Sequence, residues 1–486
     1  MTKKRKLILV SVALAALVLA GGGGWWCWQA GVQRDRIVAA LPSLPGFGAA
    51  NAATREQIEK ADAETRARFG GVKALSRLSR LYHANGFYGE ALGCYEMLER
   101  LQPGEPRWFH RHASILSGYG DVEPAIKLWE HVLGLAPDYF VARLRIGDSQ
   151  FKTGNRDAAG AAYEEVLKRS HDNPWALLGL ARIDFDAKRW EAARERLDAV
   201  SRQTEGQIGA DLLVTVYQRL GRLDLARETR GTAKTGGIYR DPPDPWIDEL
   251  VEDCYDPYRI SLASGVYSHS GQPERALKLL QRALEIAPND VSCRFQLGTF
   301  HASRHEINLA AEQFLRCTQI APEFADGWVW LSTMQQETGD TATADRTLAD
   351  GLAHCPNSPG LHLMYARKLE EAERKSEAIG EYLNSIHLRP NEPDAYLRLG
   401  SLLIKLGRTE EGLQQIRAAL ATDPGFPLAL SLMGFTSITA GDKTEARRWM
   451  QRVSEQPRIE PAQYERLGQA YREQFGEEWR PAPMEL

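Results

Sequence analysis

Between residues 257 and 460 the apolar and small positions of the chain repeat on two interlocked ladders. Small residues stand at Ala276, Ala310, Ala344, Ala378, Gly412 and Ala446, and prolines at Pro288, Pro322, Pro356, Pro390 and Pro424, each 34 after the last. Ahead of the small residues come the pairs Leu297-Gly298, Leu331-Ser332, Leu399-Gly400 and Met433-Gly434. A shared period in independent residue sets predicts helical hairpins stacked side by side. The first helix of a unit places apolar residues at i, i+3 and i+7, as in Tyr396, Leu399 and Leu403; after Trp328 and Leu331 the polar Gln335 takes the third place. A small residue beside the second anchor lets a neighbouring helix come close. The turn between helices calls for φ > 0, supplied by Gly271, Gly339, Gly407 and Gly441, with His305 and Glu373 in that place in two units. The proline then closes the hairpin.

Upstream the period continues at Ala91, Ala125, Ala159 and Ala193, with Ala226 after 33. Turn glycines stand at Gly86, Gly120, Gly154 and Gly221, and closing prolines at Pro103 and Pro137, replaced in register by His171 and Glu205. The pattern predicts about eleven hairpins in all. These residues resemble the tetratricopeptide repeat (TPR) family over residues 72–460. The resemblance implies an all-α superhelical solenoid whose concave wall is lined by the first helix of each unit. It carries little about function, since such arrays serve unrelated assemblies as binding surfaces.

The chain divides on this reading into residues 1–31, a signal anchor or signal peptide; 32–71, a stalk and capping helix; 72–235, a first array; 236–256, an insert; 257–460, a second array; and 461–486, a capping helix and tail. Lys3, Lys4, Arg5 and Lys6 precede an uncharged segment to residue 31. Trp25, Trp26 and Trp28 would suit the far interface of an uncleaved transmembrane anchor, whereas the short apolar core 7–20 before Gly21 also fits a cleaved secretory signal. The expected location is the inner membrane with the repeats on the periplasmic side, or the periplasm or exterior after cleavage. In the stalk, Pro42, Pro45, Gly46 and Gly48 favour irregular chain, and Thr54 and Gln57 have capping-box spacing for a helix over 54–69.

The insert, GGIYRDPPDPWIDELVEDCYD, holds seven acids and one arginine. Asp244 before Pro245 suits the cap and first turn of a short helix over 246–254. Two readings are open: a docking element that exposes Trp246 and Tyr255, or a joint whose Trp246 packs inward. The segment 461–475 repeats a first helix alone and reads as a terminal cap, with a loose tail from Gly476.

Composition narrows the function. With 43% hydrophobic and 26% charged residues the body is folded, and a net charge of −4 argues against general affinity for nucleic acid. The six cysteines form no C-x-x-C pair; Cys293 and Cys317 fall on the two helices of one unit, as buried thiols or a bridge. There is no nucleophile elbow, no phosphate loop and no paired carboxylates at a catalytic spacing, and His301 and His305 lack a third metal ligand. No enzyme activity, cofactor or metal is expected.

If first helices line the inner wall, as the resemblance implies, the entrance repeats are basic there, with Lys73, Arg77, Arg80, His83, Arg107, His110, Arg111 and Arg145. Such a wall favours an acidic peptide. The lysine and asparagine pattern of TPR carboxylate clamps is absent, since Ser76, Arg80 and Val141 hold those places. Downstream the same wall carries Phe295, Val329, Trp330, Leu363, Met364, Leu397 and Phe435. Lys73, Arg77, Arg80, Arg107, Arg111, Arg145, Trp330 and Phe435 are the candidate partner-binding residues. The expectation is a noncatalytic scaffold or adaptor for protein or peptide partners in a cell-envelope complex. The alternative is a TPR subunit that presents substrate to a catalytic partner in polysaccharide secretion or cytochrome maturation.

Overall fold

The structure, a computed structural model, describes residues 31–48, 50–67, 70–204, 208–232, 241–456 and 460–479. The leader predicted over residues 1–31 lies, up to residue 30, outside the described residues. Among the described residues no helix is long and apolar enough to cross a membrane. Every regular element among the described residues is helical, so the fold is all-α.

The hairpin Pro393–Lys405 and Thr409–Thr422 shows how the repeat builds itself. Pro393 sits at the start of its helix, where no intrahelical donor is needed. Ala395, Leu399, Leu402 and Leu403 form its buried stripe. Gly400 lies against the second helix so closely that an added Cβ would stand 2.7 Å from the Gly412 carbonyl oxygen. Gly407 then turns with φ 77°, and the Arg408 amide donates to the Leu403 carbonyl at 2.9 Å, which closes the helix. Lys188, His305 and Glu373 adopt φ 58° at the equivalent turn without being glycine. The turn hydrogen bonds and the packing of both helices set that conformation; the glycines only make it easy.

The closing prolines have a second role that follows the same period. Six residues after each of four prolines, a side chain on the next first helix donates back to the proline carbonyl: Arg294 to Pro288 at 2.5 Å, Trp328 to Pro322 at 2.8 Å, His362 to Pro356 at 2.9 Å and Tyr396 to Pro390 at 3.2 Å. Four different donors thus satisfy one recurrent backbone acceptor.

The described chain forms two compact units, one of Met1–His171 with Pro242–Ala263, the other of Asp172–Asp241 with Ser264–Leu486. In the first, residues 31–40 are helical and Ile37 is buried among Ile58, Leu75 and Leu78. The helix Ala52–Arg66 is capped by Asn51 rather than Thr54: its side chain accepts from the Thr54 amide at 2.9 Å. Three hairpins follow, Val72–Ala84 with Tyr88–Leu101, Pro106–Tyr119 with Val122–Leu135, and Phe140–Lys152 with Arg156–Arg169.

In the second unit the hairpins run from Pro174–Asp186 to Lys443–Ser454, and Pro461–Phe475 covers the last of them through Leu467 and Tyr471. The tail beyond Gly476 is not loose as far as Trp479. Glu477 accepts from Arg447 at 2.6 Å and from the Tyr471 hydroxyl at 2.8 Å, and pairs with Lys443 at 2.9 Å. Bonds from Lys443, Tyr471 and Arg447 hold the Glu477 carboxyl down at about 2. Arg227, on Leu223–Thr232, stacks 4.1 Å over the Tyr464 ring and donates to the Ser454 carbonyl at 2.5 Å. Cys293 and Cys317 are buried free thiols, and burial pushes the Cys317 thiol up to about 11.

Candidate functional site

The first unit assembles its site from residues that the apolar stripe leaves over. Val72–Ala84 buries Leu75, Leu78, Leu81 and Tyr82, which turns Arg80 to another face and places Asn85 at the helix end. Pro106–Tyr119 buries Trp108, Ala113 and Ile115, yet His110 and Arg111 on the same helix are also buried, at 0% and 1% exposure. Charged and polar groups reach such burial only when partners replace water. The partners come from the acidic segment, whose short helix Pro245–Asp248 and following turn Glu249–Asp253 lie on this wall.

Asp244 is its anchor. It caps the short helix and is itself 4% exposed. Its Oδ2 accepts from His110 Nε2 at 2.8 Å and lies 3.9 Å from Arg145, while Oδ1 accepts from the Tyr139 hydroxyl at 2.6 Å. Burial opposes its charge, but the bonds from His110 and Tyr139 and the Arg145 charge outweigh it and hold the carboxyl below the usual range. Burial, with the Asp244 charge, raises the Tyr139 phenol. Trp246 stacks on Tyr139 with centroids 3.6 Å apart and planes 8° apart. Arg111 Nε donates to the Trp246 carbonyl at 2.9 Å and Nη2 to Glu249 at 2.7 Å, with the guanidinium over the Trp108 ring. Arg80 donates to Asp253 at 2.6 Å.

His83, beside this cluster, is pushed down to about 3 by burial first and then by the charges of Arg111, Arg259 and His110. Its folded value lies below the unfolded value of about 6.5, so the neutral ring contributes stability that is fully present above that pH. The contribution is lost as pH falls from about 6.5 toward 3, with a slope of at most about 1.4 kcal/mol per pH unit. Urea unfolding at pH 7 and at pH 5 is expected to show the loss, and His83→Phe to flatten it.

The structure brings Arg80, Arg111 and Arg145 together on one segment of the same chain. Arg77 instead pairs with Glu64 at 2.7 Å, and Arg107 forms two bonds to Glu105 at 2.8 and 3.0 Å. Lys73 is exposed. Two contributors escaped the sequence reading. Tyr139 lies just ahead of the helix Phe140–Lys152, outside the first-helix positions considered, and Asn85 is the cap before Gly86, a place read only for its turn.

In the second unit the apolar wall divides. Leu397 belongs to the core, and Leu363 and Phe435 are half-buried against core clusters. Trp330 is 37% exposed and lies over Phe314, with Phe295 edge-on to it. His301 is held by Glu306 at 2.6 Å. Among the described residues no group of three or more His, Cys, Asp or Glu is placed to hold a metal.

Three stretches match tetratricopeptide repeat models. They are residues 151–214, 260–292 and 360–427. This supports the resemblance drawn from the 34-residue period. The chain is also similar to "Cellulose synthase operon protein C" of Pseudomonas fluorescens, 23% identical over 75% of this chain and 32% of that protein. "Antiviral innate immune response effector IFIT1" of Macaca fascicularis is 25% identical over 62% of this chain and 64% of that protein. The chain thus spans less than two thirds of the length of either relative. Among solved structures, yeast Tom70 superposes with a TM-score of 0.41 at 13% identity, over 83% of this chain and 96% of that one.

Proposed function

We propose that this chain is a noncatalytic TPR scaffold or adaptor that holds protein or peptide partners on its first-helix walls, within a cell-envelope complex. The observation that carries the reading is the exposed Trp330, set on an aromatic floor of Phe295 and Phe314 in the second unit. A large ring left partly in water on a rigid wall is the kind of anchor that dominates protein interfaces. The basic run Lys3 to Lys6 and the uncharged segment after it support tethering to the inner membrane with the repeats on the periplasmic side.

The test is affinity capture of the full-length chain from its native membranes, with wild type and Trp330→Ala side by side. The substitution is expected to reduce recovery of the main partner about thirtyfold, the scale of a 2 kcal/mol hot spot. Helicity should be unchanged. Equal recovery would remove Trp330 from the binding wall, and the N-terminal peptide of the bait reports whether the leader is retained.

A second reading has its own support in the similarity to "Cellulose synthase operon protein C" over three quarters of this chain. On it, the chain is a TPR subunit of a polysaccharide secretion machine that presents substrate to a catalytic partner. Stoichiometric recovery of a glycan-synthesising or export subunit in the same capture would favour this reading over a general scaffold.

A further inference from the structure

The segment 244–255 is held on the first unit in the way a foreign peptide would be. Its backbone is read by side chains: Asn85 Nδ2 donates to the Asp253 carbonyl at 2.9 Å while Asn85 Oδ1 accepts from the Tyr255 amide at 2.7 Å. Asn51 Nδ2 donates to the Tyr255 carbonyl at 2.7 Å, and Arg111 to the Trp246 carbonyl. Between these points Asp244, Glu249 and Asp253 meet His110, Arg111 and Arg80, and Trp246 stacks on Tyr139. Contacts of this kind need no covalent link between segment and wall. They would hold any chain that offers the same carboxylates and ring at the same places.

The segment has little structure of its own to impose. Its helix is four residues long and the turn after it five, lengths that do not persist in water without a partner. Few apolar groups fix it: Leu250 and Cys254 are buried, while Glu249 and Glu252 face solvent. The wall, by contrast, is set by the apolar cores of two hairpins and keeps its geometry whether or not the segment is present.

We propose that this wall is a recognition site for an acidic segment of another protein, an Asp-Pro-aromatic sequence followed by carboxylates at the places of Glu249 and Asp253. Residues 244–255 are its intramolecular occupant, and a partner segment of the same chemistry competes with them. The proposal rests on the reading that first-helix walls receive peptides. It concerns a different wall from Trp330, so either can fail alone.

The probe is a fluorescein-labelled peptide of residues 242–256 with Cys254 replaced by serine, titrated by anisotropy into the full-length chain. An occupant lowers the apparent affinity of a competitor by the fraction of time the site stands empty. The peptide is therefore expected to bind the Glu249→Gln/Asp253→Asn chain at least about tenfold more tightly than wild type. Adding Asn85→Ala and Arg111→Ala should abolish the gain. Equal affinity for wild type and variant, or binding to neither, would overturn the proposal. A second measurement needs no variant: excess peptide should speed amide exchange in residues 245–255 of the wild-type chain, and unchanged exchange counts against displacement. Dimers of wild type that trade segments, seen by sedimentation without peptide, would overturn the assignment to a separate protein and give the site to a second copy.

Discussion

Asp244→Ala is expected to destabilise the first unit by about 3 kcal/mol, the cost of breaking a buried polar pair and stranding its partners. The Asp244 carboxylate is 4% exposed and receives His110 and the Tyr139 hydroxyl at once. His110 Nδ1 already lacks a hydrogen-bond partner among the described residues, so the substitution would leave that buried ring with none. The short helix would lose its cap in the same step. Asp244→Asn should cost less, since an amide oxygen still accepts one of the two bonds. Urea unfolding of the full-length chain, with amide exchange of residues 245–255 as a local reporter, measures both. If the unfolding midpoint and the local exchange stay at wild-type values, the segment adds nothing to the unit.

Gly400→Val should destabilise the second unit by about 3 kcal/mol through overpacking. The obstruction is backbone: the added Cβ would meet the Gly412 carbonyl oxygen at 2.7 Å and Ile416 at 2.8 Å, and neither a carbonyl nor a packed isoleucine can swing aside. The helices Pro393–Lys405 and Thr409–Thr422 would have to separate, which loosens the core around Leu399 and Leu403. Gly380 supplies the contrast. It is exposed on Lys375–Leu388 and nothing lies within 4 Å of an added Cβ, so Gly380→Ala should stabilise by up to about 1 kcal/mol through helix propensity. The two substitutions, followed by urea unfolding, are expected to move the midpoint in opposite directions. Movement in the same direction would mean that the close approach of Gly400 to Gly412 is not what keeps position 400 small.

These opposite signs mark what periodicity can express. The place of Gly400 in the Leu-Gly pair was legible because it recurs with the repeat, and its close contact is the physical cause of the recurrence. The donation from positions 294, 328, 362 and 396 to the preceding proline carbonyl was not legible. It is made by arginine, tryptophan, histidine and tyrosine in turn, which share a donor group but no size, charge or hydropathy. The tail at Glu477 escaped for a related reason. A lone glutamate beyond a glycine looks like solvated chain until Arg447, Lys443 and Tyr471 converge on it.

The sequence by itself determined the hairpins, their turns and their closely packed small residues, because these depend on contacts within one repeat or with the next and are written at a fixed spacing. It also showed a basic entrance and an acidic insert as separate facts. Only the tertiary structure decided that the two meet. Arg111 and Trp246 are 135 residues apart, and Asn85 and Tyr255 170 apart. Charge pattern carries no record of which groups give up water to one another. That choice is made by the packed walls, which fix where each donor points before the acidic segment arrives.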